Sequence, residues 1–421
     1  MNKEVLKQIL FEQRKDFLKK GIGVSREKLT EAEKFLQLPH IYVISGIRRC
    51  GKSTFLRQIA HTFYNDKDFY FINFEDERLF NFNASDFNLV LETQNELWGS
   101  QKTFIIDEIQ NVDKFELFLR RLTDSGYKFI VSGSNADLLS GEMATKITGR
   151  YIETKLNPFN FREFLNYHRI STDINDVFDT ENKAKISANF EKYINSGGMP
   201  EYNKFKMAEI ITRMYEDILI KDIAVRYGIT NIVALRELSR YVVSNFGRRF
   251  SYNSLQKALG FGSVNTVKSY LSYLENAFLL KIVSKYDHSL KKQLSNEKKT
   301  YIIDSAIIKL VSNQLTEDRG RLLENIVAQH LAVDNQIYYF SDKYECDFIS
   351  MDNHKNIAAY QVTYILNETN REREIKGLVE AMDFFGLNKG VIVTMSQSEE
   401  IKISKKQITV LPAWRVLLNY A

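Results

Sequence analysis

The segment Gly46-Ile47-Arg48-Arg49-Cys50-Gly51-Lys52-Ser53 lies directly behind the apolar run Ile41-Tyr42-Val43-Ile44 and directly ahead of a helical stretch, Thr54 to Phe63. A glycine at each end lets the backbone curl around a polyphosphate and aim several N–H groups at it, and the next helix offers its positive N-terminus to the same anion. Strand, loop and helix are therefore fixed as neighbours by one motif. Within it Gly46, Ile47, Arg48, Arg49, Cys50, Gly51, Lys52, Ser53 and Thr54 are expected to hold a nucleotide. Lys52 is expected to neutralise the β and γ phosphates, and Ser53 to offer its hydroxyl to Mg²⁺.

A phosphate loop of this kind needs a second apolar strand ending in a carboxylate, and Thr103-Phe104-Ile105-Ile106-Asp107-Glu108 supplies it. Asp107 is placed to hold the water shell of Mg²⁺. Glu108 is the candidate base for the attacking water, because phosphoryl transfer depends on positioning and charge compensation. The competing reading is that both acids only cap a helix from Ile109 onward. A third strand, Lys128-Phe129-Ile130-Val131, is expected between the other two in a parallel sheet. It ends in Ser132-Gly133-Ser134-Asn135, where Ser134 or Asn135 is either a sensor of the γ-phosphate or part of a plain turn. Arg150, at the start of the extended stretch Tyr151 to Leu156, is the candidate for a residue that acts in trans on a neighbour's γ-phosphate. Lys52, Glu108, Asn135 and Arg150 form the expected catalytic set, with Ser53 and Asp107 as the metal residues.

Composition narrows the alternatives. A chain of 421 residues accommodates about two to four domains, and 44% hydrophobic residues with four prolines describe a globular, helix-rich protein. No segment approaches the ~18 uninterrupted apolar residues of a membrane span. The stretch Met1-Asn2-Lys3-Glu4-Val5 lacks the apolar core of a signal peptide, so a soluble, cytoplasmic protein with no membrane partner is expected. Cys50 and Cys346 form neither a metal pair nor a disulfide framework, and six scattered histidines offer no zinc spacing. Cys50, inside the loop, is expected to react with thiol reagents and block nucleotide. A net charge of +5 is mild for a nucleic-acid binder, so any basic surface must be local.

Five segments follow from the pattern of elements. Residues 1–40 read as amphipathic helices. Residues 41–155 alternate strands, near 41–45, 69–74, 103–107, 128–132 and 151–155, with helices, which specifies a parallel sheet covered on both faces. Glu75 or Asp76, after the second strand, is either near the metal or an acidic helix cap. Residues 156–228 read as a helical lid, opening at Leu156 to Phe164 and broken at Ser196-Gly197-Gly198-Met199-Pro200. Gly197 to Pro200 either touches the base, with Pro200 as the contact, or is only a turn.

In residues 229–290, Ser251 starts a short helix ending at Leu259-Gly260, and Ser263 caps a longer one in which Val267, Tyr270, Leu271, Leu274 and Phe278 recur at helical spacing. With the strand-like Leu279 to Val283, this describes a winged helix-turn-helix. Asn265, Lys268, Ser269 and Ser272 are expected to face outward toward phosphates or base edges, although such modules also dock proteins. Residues 291–421 place Glu324 on a helix, Asp347 at the opening of a strand and Gln361 about 14 positions later. That is the skeleton of a Mg²⁺-dependent nuclease core of the PD-(D/E)xK type. Gln361-Val362-Thr363 stands where an acid and a lysine belong, so Glu324, Asp347 and Gln361 are expected to form a degenerate site without cleavage activity.

Taken together, the phosphate loop, Ile105-Ile106-Asp107-Glu108-Ile109-Gln110, Ser132 to Asn135, Thr148-Gly149-Arg150, Leu156 to Phe164, Gly197 to Pro200, Tyr301 to Asp304, Gly320 to Val327 and Glu345 to Phe348 resemble the prokaryotic AAA-type ATPases. The branch they resemble carries a C-terminal nuclease-like domain of unknown function. The resemblance implies an α/β fold: an AAA+ P-loop core related to STAND and archaeal-type ATPases, a helical lid, a winged helix and a degenerate restriction-endonuclease-like domain. It implies ATP and Mg²⁺ at Lys52, Ser53, Asp107 and Glu108, with Arg150 as the trans arginine. Two functions stay open. One is a DNA motor, a homo-oligomeric ring with a hexamer among the candidates, acting on duplex or branched DNA such as a Holliday junction. The other is a STAND-like, nucleotide-controlled switch that binds a protein partner.

Overall fold

The computed structural model describes residues 1–134, 149–173, 179–312 and 318–419. They divide into two compact units, Met1–Asn157 and Pro158–Ala421.

The first unit opens with helices α1 (Lys3–Lys19) and α2 (Leu29–Leu36). Then follow β1 (Ile41–Ser45), α3 (Lys52–Phe63), β2 (Tyr70–Asn73), α4 (Phe87–Trp98), β3 (Thr103–Asp107), α5 (Phe115–Asp124), β4 (Lys128–Gly133) and β5 (Tyr151–Lys155). The strands form one sheet in the order β2-β3-β4-β1-β5, and every pairing is parallel. Parallel strands covered on both faces read as continuous apolar runs. β1 and β3 do so, with all five residues of each buried. The core on one face joins Val43, Ile106 and Val131 to Phe87, Phe104, Phe118 and Phe129, and α1 adds Leu6, Ile9 and Leu10. β4 lies between β3 and β1, as the sequence leads one to expect. The carboxyl ends of β1, β3 and β4 therefore open side by side, where ligands bind in open α/β sheets.

The sequence suggests a helix directly after Glu108. Instead a single 3₁₀ turn, Ile109–Asn111, follows, and α5 begins only at Phe115.

The second unit starts with α6 (Phe161–Tyr167), α7 (Thr180–Ser196), α8 (Pro200–Phe205) and α9 (Ala208–Asp217). A π-helical stretch, Ile218–Val225, continues α9 and is followed by α10 (Ile232–Ser244). Helix α11 (Tyr252–Ala258) is started by Ser251, which exchanges capping hydrogen bonds with Ser254. Ser263 caps α12 (Val264–Asn276) by accepting from the Asn265 N–H, and Val267, Leu271 and Leu274 are its buried face. β6 (Leu280–Ser284), α13 (Leu290–Ser295) and β7 (Lys298–Ile302) come next, with β6 and β7 paired antiparallel.

After α14 (Ser305–Val311) the chain runs α15 (Arg319–Leu331), β8 (Gln336–Ser341), β9 (Glu345–Met351), β10 (Ile357–Val362), α16 (Arg371–Phe385) and β11 (Lys389–Thr394). It closes with β12 (Glu399–Ile403), β13 (Lys406–Pro412) and α17 (Ala413–Leu417). Six strands make a mixed sheet, β12-β13-β11-β10-β9-β8. β8, β9 and β10 are antiparallel neighbours, and β10 and β11 are parallel across the α16 crossover. The buried stripe of α16, Leu378, Ala381 and Met382, packs with Cys346, Ile349, Ile392 and Val410 of the sheet. Among the described residues no helix is long and apolar enough to cross a membrane.

Candidate functional site

Side chains that follow β1 (Lys52, Ser53) and lie at the ends of β3 (Asp107, Glu108) and β4 (Ser132) converge in the first unit. The loop after β1 needs its glycines. Gly51, the residue before α3, has φ +106, a region open to glycine at little cost. At Gly46 a β-carbon would collide with the carbonyl oxygen of Leu156. Arg26 ties the loop down by donating to the Cys50 carbonyl oxygen at 3.0 Å.

Lys52 is buried at the first position of α3 and donates to the carbonyl oxygens of Gly46 at 3.1 Å and Ile47 at 3.3 Å. Its Nζ lies 3.7 Å from Glu108 Oε1. Asp107 is buried at the end of β3 and accepts hydrogen bonds from the hydroxyls of Ser132 and Ser53. Burial, and then the Glu108 charge, push its carboxyl above the usual range, while Ser132, Ser53 and Lys52 pull the other way. Ser53 and Asp107 are thus adjacent oxygen donors, the kind Mg²⁺ takes.

Glu108 does not cap a helix. Its backbone is left-handed, φ +52 and ψ +49, and its side chain makes no capping bond. Its N–H donates to Ser132 Oγ at 3.1 Å, and its Oε2 accepts from Gln110 Nε2. Gln110 also reaches the buried Ser134 Oγ at 3.3 Å, which links Ser134 to the Glu108 carboxylate. Ser132 and Gln110 are thus part of the site. Both lie in segments the sequence flags, but their tie to Glu108 depends on the left-handed turn. Asn135 lies outside the described residues.

Cys50 is fully buried and its thiol is pushed up by that burial. It is a poor target for thiol reagents, contrary to the expectation from its place in the loop. Arg48 pairs with Glu75 at 3.4 Å. Asp76 caps the short turn Glu77–Leu79 and is held down at about 2 by its hydrogen bonds from Arg78. Arg150 pairs with Asp124 at 3.2 Å. Its carbonyl oxygen accepts from the N–H of Ile41, at the start of β1, whereas the phosphate loop leaves the far end of that strand. Five extended residues separate the two edges, about 16 Å.

In the second unit Gly197 to Pro200 is fixed by packing. The Gly198 N–H donates to Asp304 Oδ2 at 2.6 Å. A β-carbon on Gly197 would meet the Asp304 carboxylate, and one on Gly198 the Phe159 carbonyl. Pro200 takes the first turn of α8, where its missing N–H costs nothing. On α12, Asn265, Lys268 and Ser272 are exposed and Ser269 is half-buried.

Glu324, Asp347 and Gln361 come together in that unit, and so do residues the sequence pattern did not single out. Lys299 of β7, almost fully buried, sits 2.9 Å from Glu324 Oε1, 2.7 Å from Glu345 Oε1 and 3.6 Å from Asp347 Oδ1. Gln361 accepts from the Asp347 N–H at 3.3 Å and donates to Glu374 Oε2 of α16 at 2.6 Å. A lysine and further carboxylates are therefore present: Lys299 comes from β7 and Glu374 from α16, whereas Glu345 lies two residues before Asp347 on β9. Lys299 stands directly ahead of the strand-like Thr300 to Ile303, and nothing in its sequence position marks it as a partner of these acids.

Residues 39–165 match the family described as the AAA domain, and residues 187–318 match a domain of unknown function. An uncharacterized protein of Haemophilus influenzae is 28% identical over 407 residues, 93% of this chain and 98% of that protein. Among solved structures, the Aeropyrum pernix ORC1 protein in complex with DNA matches over 71% of this chain and 95% of its own at 10% identity, with a TM-score of 0.32. The uncharacterized protein MJ1544 of Methanocaldococcus jannaschii is 32% identical over 402 residues, 90% of this chain and 88% of that protein. With that identity along nearly its whole length and the AAA domain at its start, the chain belongs to the prokaryotic AAA-type family that includes MJ1544.

Proposed function

We propose that the chain is a Mg²⁺-dependent ATP hydrolase that assembles as a homo-oligomer and works as a motor on duplex or branched DNA. The observation that carries the hydrolase is the convergence of Lys52, Ser53, Asp107 and Glu108 at one sheet edge. Lys52 binds the β and γ phosphates, exchanging its bonds to the Gly46 and Ile47 carbonyls for phosphate oxygens. Ser53 and Asp107 would hold Mg²⁺, which when bound neutralises charge across those phosphates. Glu108 takes a proton from the attacking water or orients it, and Gln110 and Ser132 fix its position. Arg150, on the opposite edge of its own sheet, is suited to a neighbour's nucleotide rather than its own.

The order α11, turn, α12 followed by the β6–β7 pair supports a winged helix, and the outward Asn265, Lys268, Ser269 and Ser272 support a DNA-facing side. The order α15-β8-β9-β10-α16-β11 supports a restriction-endonuclease-like fold that grips without cutting.

The deciding experiment measures ATPase rate and particle mass together, with and without duplex, single-stranded and four-way-junction DNA. Stimulation by one DNA form, with a shift to a multimer, is the expected result. A slow, DNA-indifferent monomer that retains ADP would replace the motor with a nucleotide-controlled switch that binds a protein.

A further inference from the structure

A nuclease-like fold of this strand order implies a divalent cation between its acids, but the side chains present do not fit one. The centre where Glu324, Glu345 and Asp347 converge is already filled by the Lys299 ammonium, at 2.9, 2.7 and 3.6 Å from one oxygen of each. An ammonium has three N–H donors, and here it faces three carboxylates. The acids' other bonds are also engaged. Tyr301 donates to Glu324 Oε1 at 2.6 Å, the Val362 N–H to Asp347 Oδ2 at 2.9 Å, and Arg249 pairs with Glu345 Oε2.

Gln361, the residue at the position of the missing acid, is an amide tied at both ends, to the Asp347 N–H and to Glu374. Glu374 in turn pairs with Arg373 at 2.5 Å. Among the described residues no three His, Cys, Asp or Glu side chains are grouped to hold a metal ion. Oxygen ligands of a divalent cation must close to about 2.0–2.6 Å around one point. That point is occupied by Nζ, and moving Lys299 aside would bury an uncompensated ammonium, which is strongly unfavourable.

We propose that Lys299 is a built-in replacement for the divalent cation, so that this module holds its acidic cluster together with a covalently tethered charge and binds no metal. The inference rests on the reading of the C-terminal module as nuclease-like. Four carboxylates (Glu324, Glu345, Asp347 and Glu374) face three cations (Lys299, Arg249 and Arg373). Removing Lys299 leaves a vacant, oxygen-lined centre of the chemistry that Mn²⁺ or Mg²⁺ accepts.

The test uses the full-length, nucleotide-free protein and counts bound Mn²⁺ by electron paramagnetic resonance alongside the melting temperature in EDTA and in millimolar Mn²⁺. Wild type should take up no Mn²⁺ that depends on Asp347, and its melting temperature should respond to Mn²⁺ no more than that of Asp347→Asn. Lys299→Ala should melt lower in EDTA, bind about one Mn²⁺ per chain and regain several degrees with it, as ligand linkage requires. If Lys299→Ala is unfolded as purified, refolding that succeeds in Mn²⁺ and fails in EDTA is the expected result, and a chain that stays unfolded in both overturns the proposal.

A folded Lys299→Ala that ignores Mn²⁺ also overturns it. So does wild type that binds Mn²⁺ and loses it on Asp347→Asn. A DNA cleavage assay separates the two readings. Mn²⁺ binding by wild type without cleavage removes only the role of Lys299, whereas Mn²⁺-dependent cleavage abolished by Asp347→Asn removes the non-cutting module as well.

Discussion

The Lys52 ammonium lies 3.7 Å from Glu108 Oε1, so the residue proposed to meet the phosphates and the residue proposed to handle the water, which follow the ends of different strands, share one small volume. Their separation is set by β1 and β3, which are not neighbours in the sheet: β4 lies between them and contributes Ser132, which bonds to both Asp107 and the Glu108 N–H.

Glu108→Gln should therefore bind ATP about as well as wild type and hydrolyse it about a hundredfold or more slowly, the usual weight of a lost general base. Fluorescent-nucleotide titration and steady-state phosphate release check the two halves of that statement. Turnover within a few-fold of wild type would remove Glu108 from the chemistry.

Gly46→Ala forces a methyl group into the Leu156 carbonyl oxygen. A cost of about 2 kcal/mol is expected from overpacking of this kind, together with weakened nucleotide binding, because β5 and the phosphate loop must separate. Denaturant titration and a nucleotide affinity measurement test it.

Arg150→Ala gives up a solvent-exposed pair with Asp124, which is worth little to stability. An unchanged melting temperature is expected. Hydrolysis should fall about a hundredfold or more in the assembled protein, and equal loss in a preparation shown to be monomeric would exclude action in trans.

Lys268 is an exposed cation on α12. Lys268→Ala should weaken DNA binding for all sequences alike and reduce the slope of log affinity against log salt by about 1. An unchanged slope would take α12 off the DNA.

Asp304 accepts backbone N–H groups from Gly198 and Ala306, yet burial pushes its carboxyl up to about 7. A carboxyl whose folded pKa exceeds its unfolded one holds its proton longer in the folded state. Its contribution is full below about pH 4 and is lost as pH rises through about 7, a change on the order of a few kcal/mol. The melting temperature should fall between about pH 4 and about pH 7, and Asp304→Asn should flatten that part of the profile.

The convergence of the candidate nucleotide site was legible because its parts are local: a strand, a glycine-bounded loop and a helix in unbroken succession, then a strand ending in Asp107-Glu108. The parallel order of the sheet followed from the same alternation. The Lys299 cluster was not legible, because β7 pairs with β6 and does not belong to the six-stranded sheet that carries Asp347. Spacing within the usual nuclease pattern ends at Thr363 and cannot see a lysine that arrives from an earlier element. The fit of Gly197 and Gly198 against Asp304 and Phe159 is likewise a long-range contact, and sequence left that segment open between a ligand contact and a turn.

Glu108 holds its carboxylate in place on a left-handed backbone, φ +52, that a side chain with a β-carbon adopts at a cost of roughly 1 kcal/mol or more. A glycine at this position would relax the turn and firm up the fold while removing the carboxylate proposed to handle the water. Variants gathered by thermal resistance alone should therefore drift toward glycine or asparagine here, whereas variants gathered by turnover should keep the acid, so the two screens would part at this one codon.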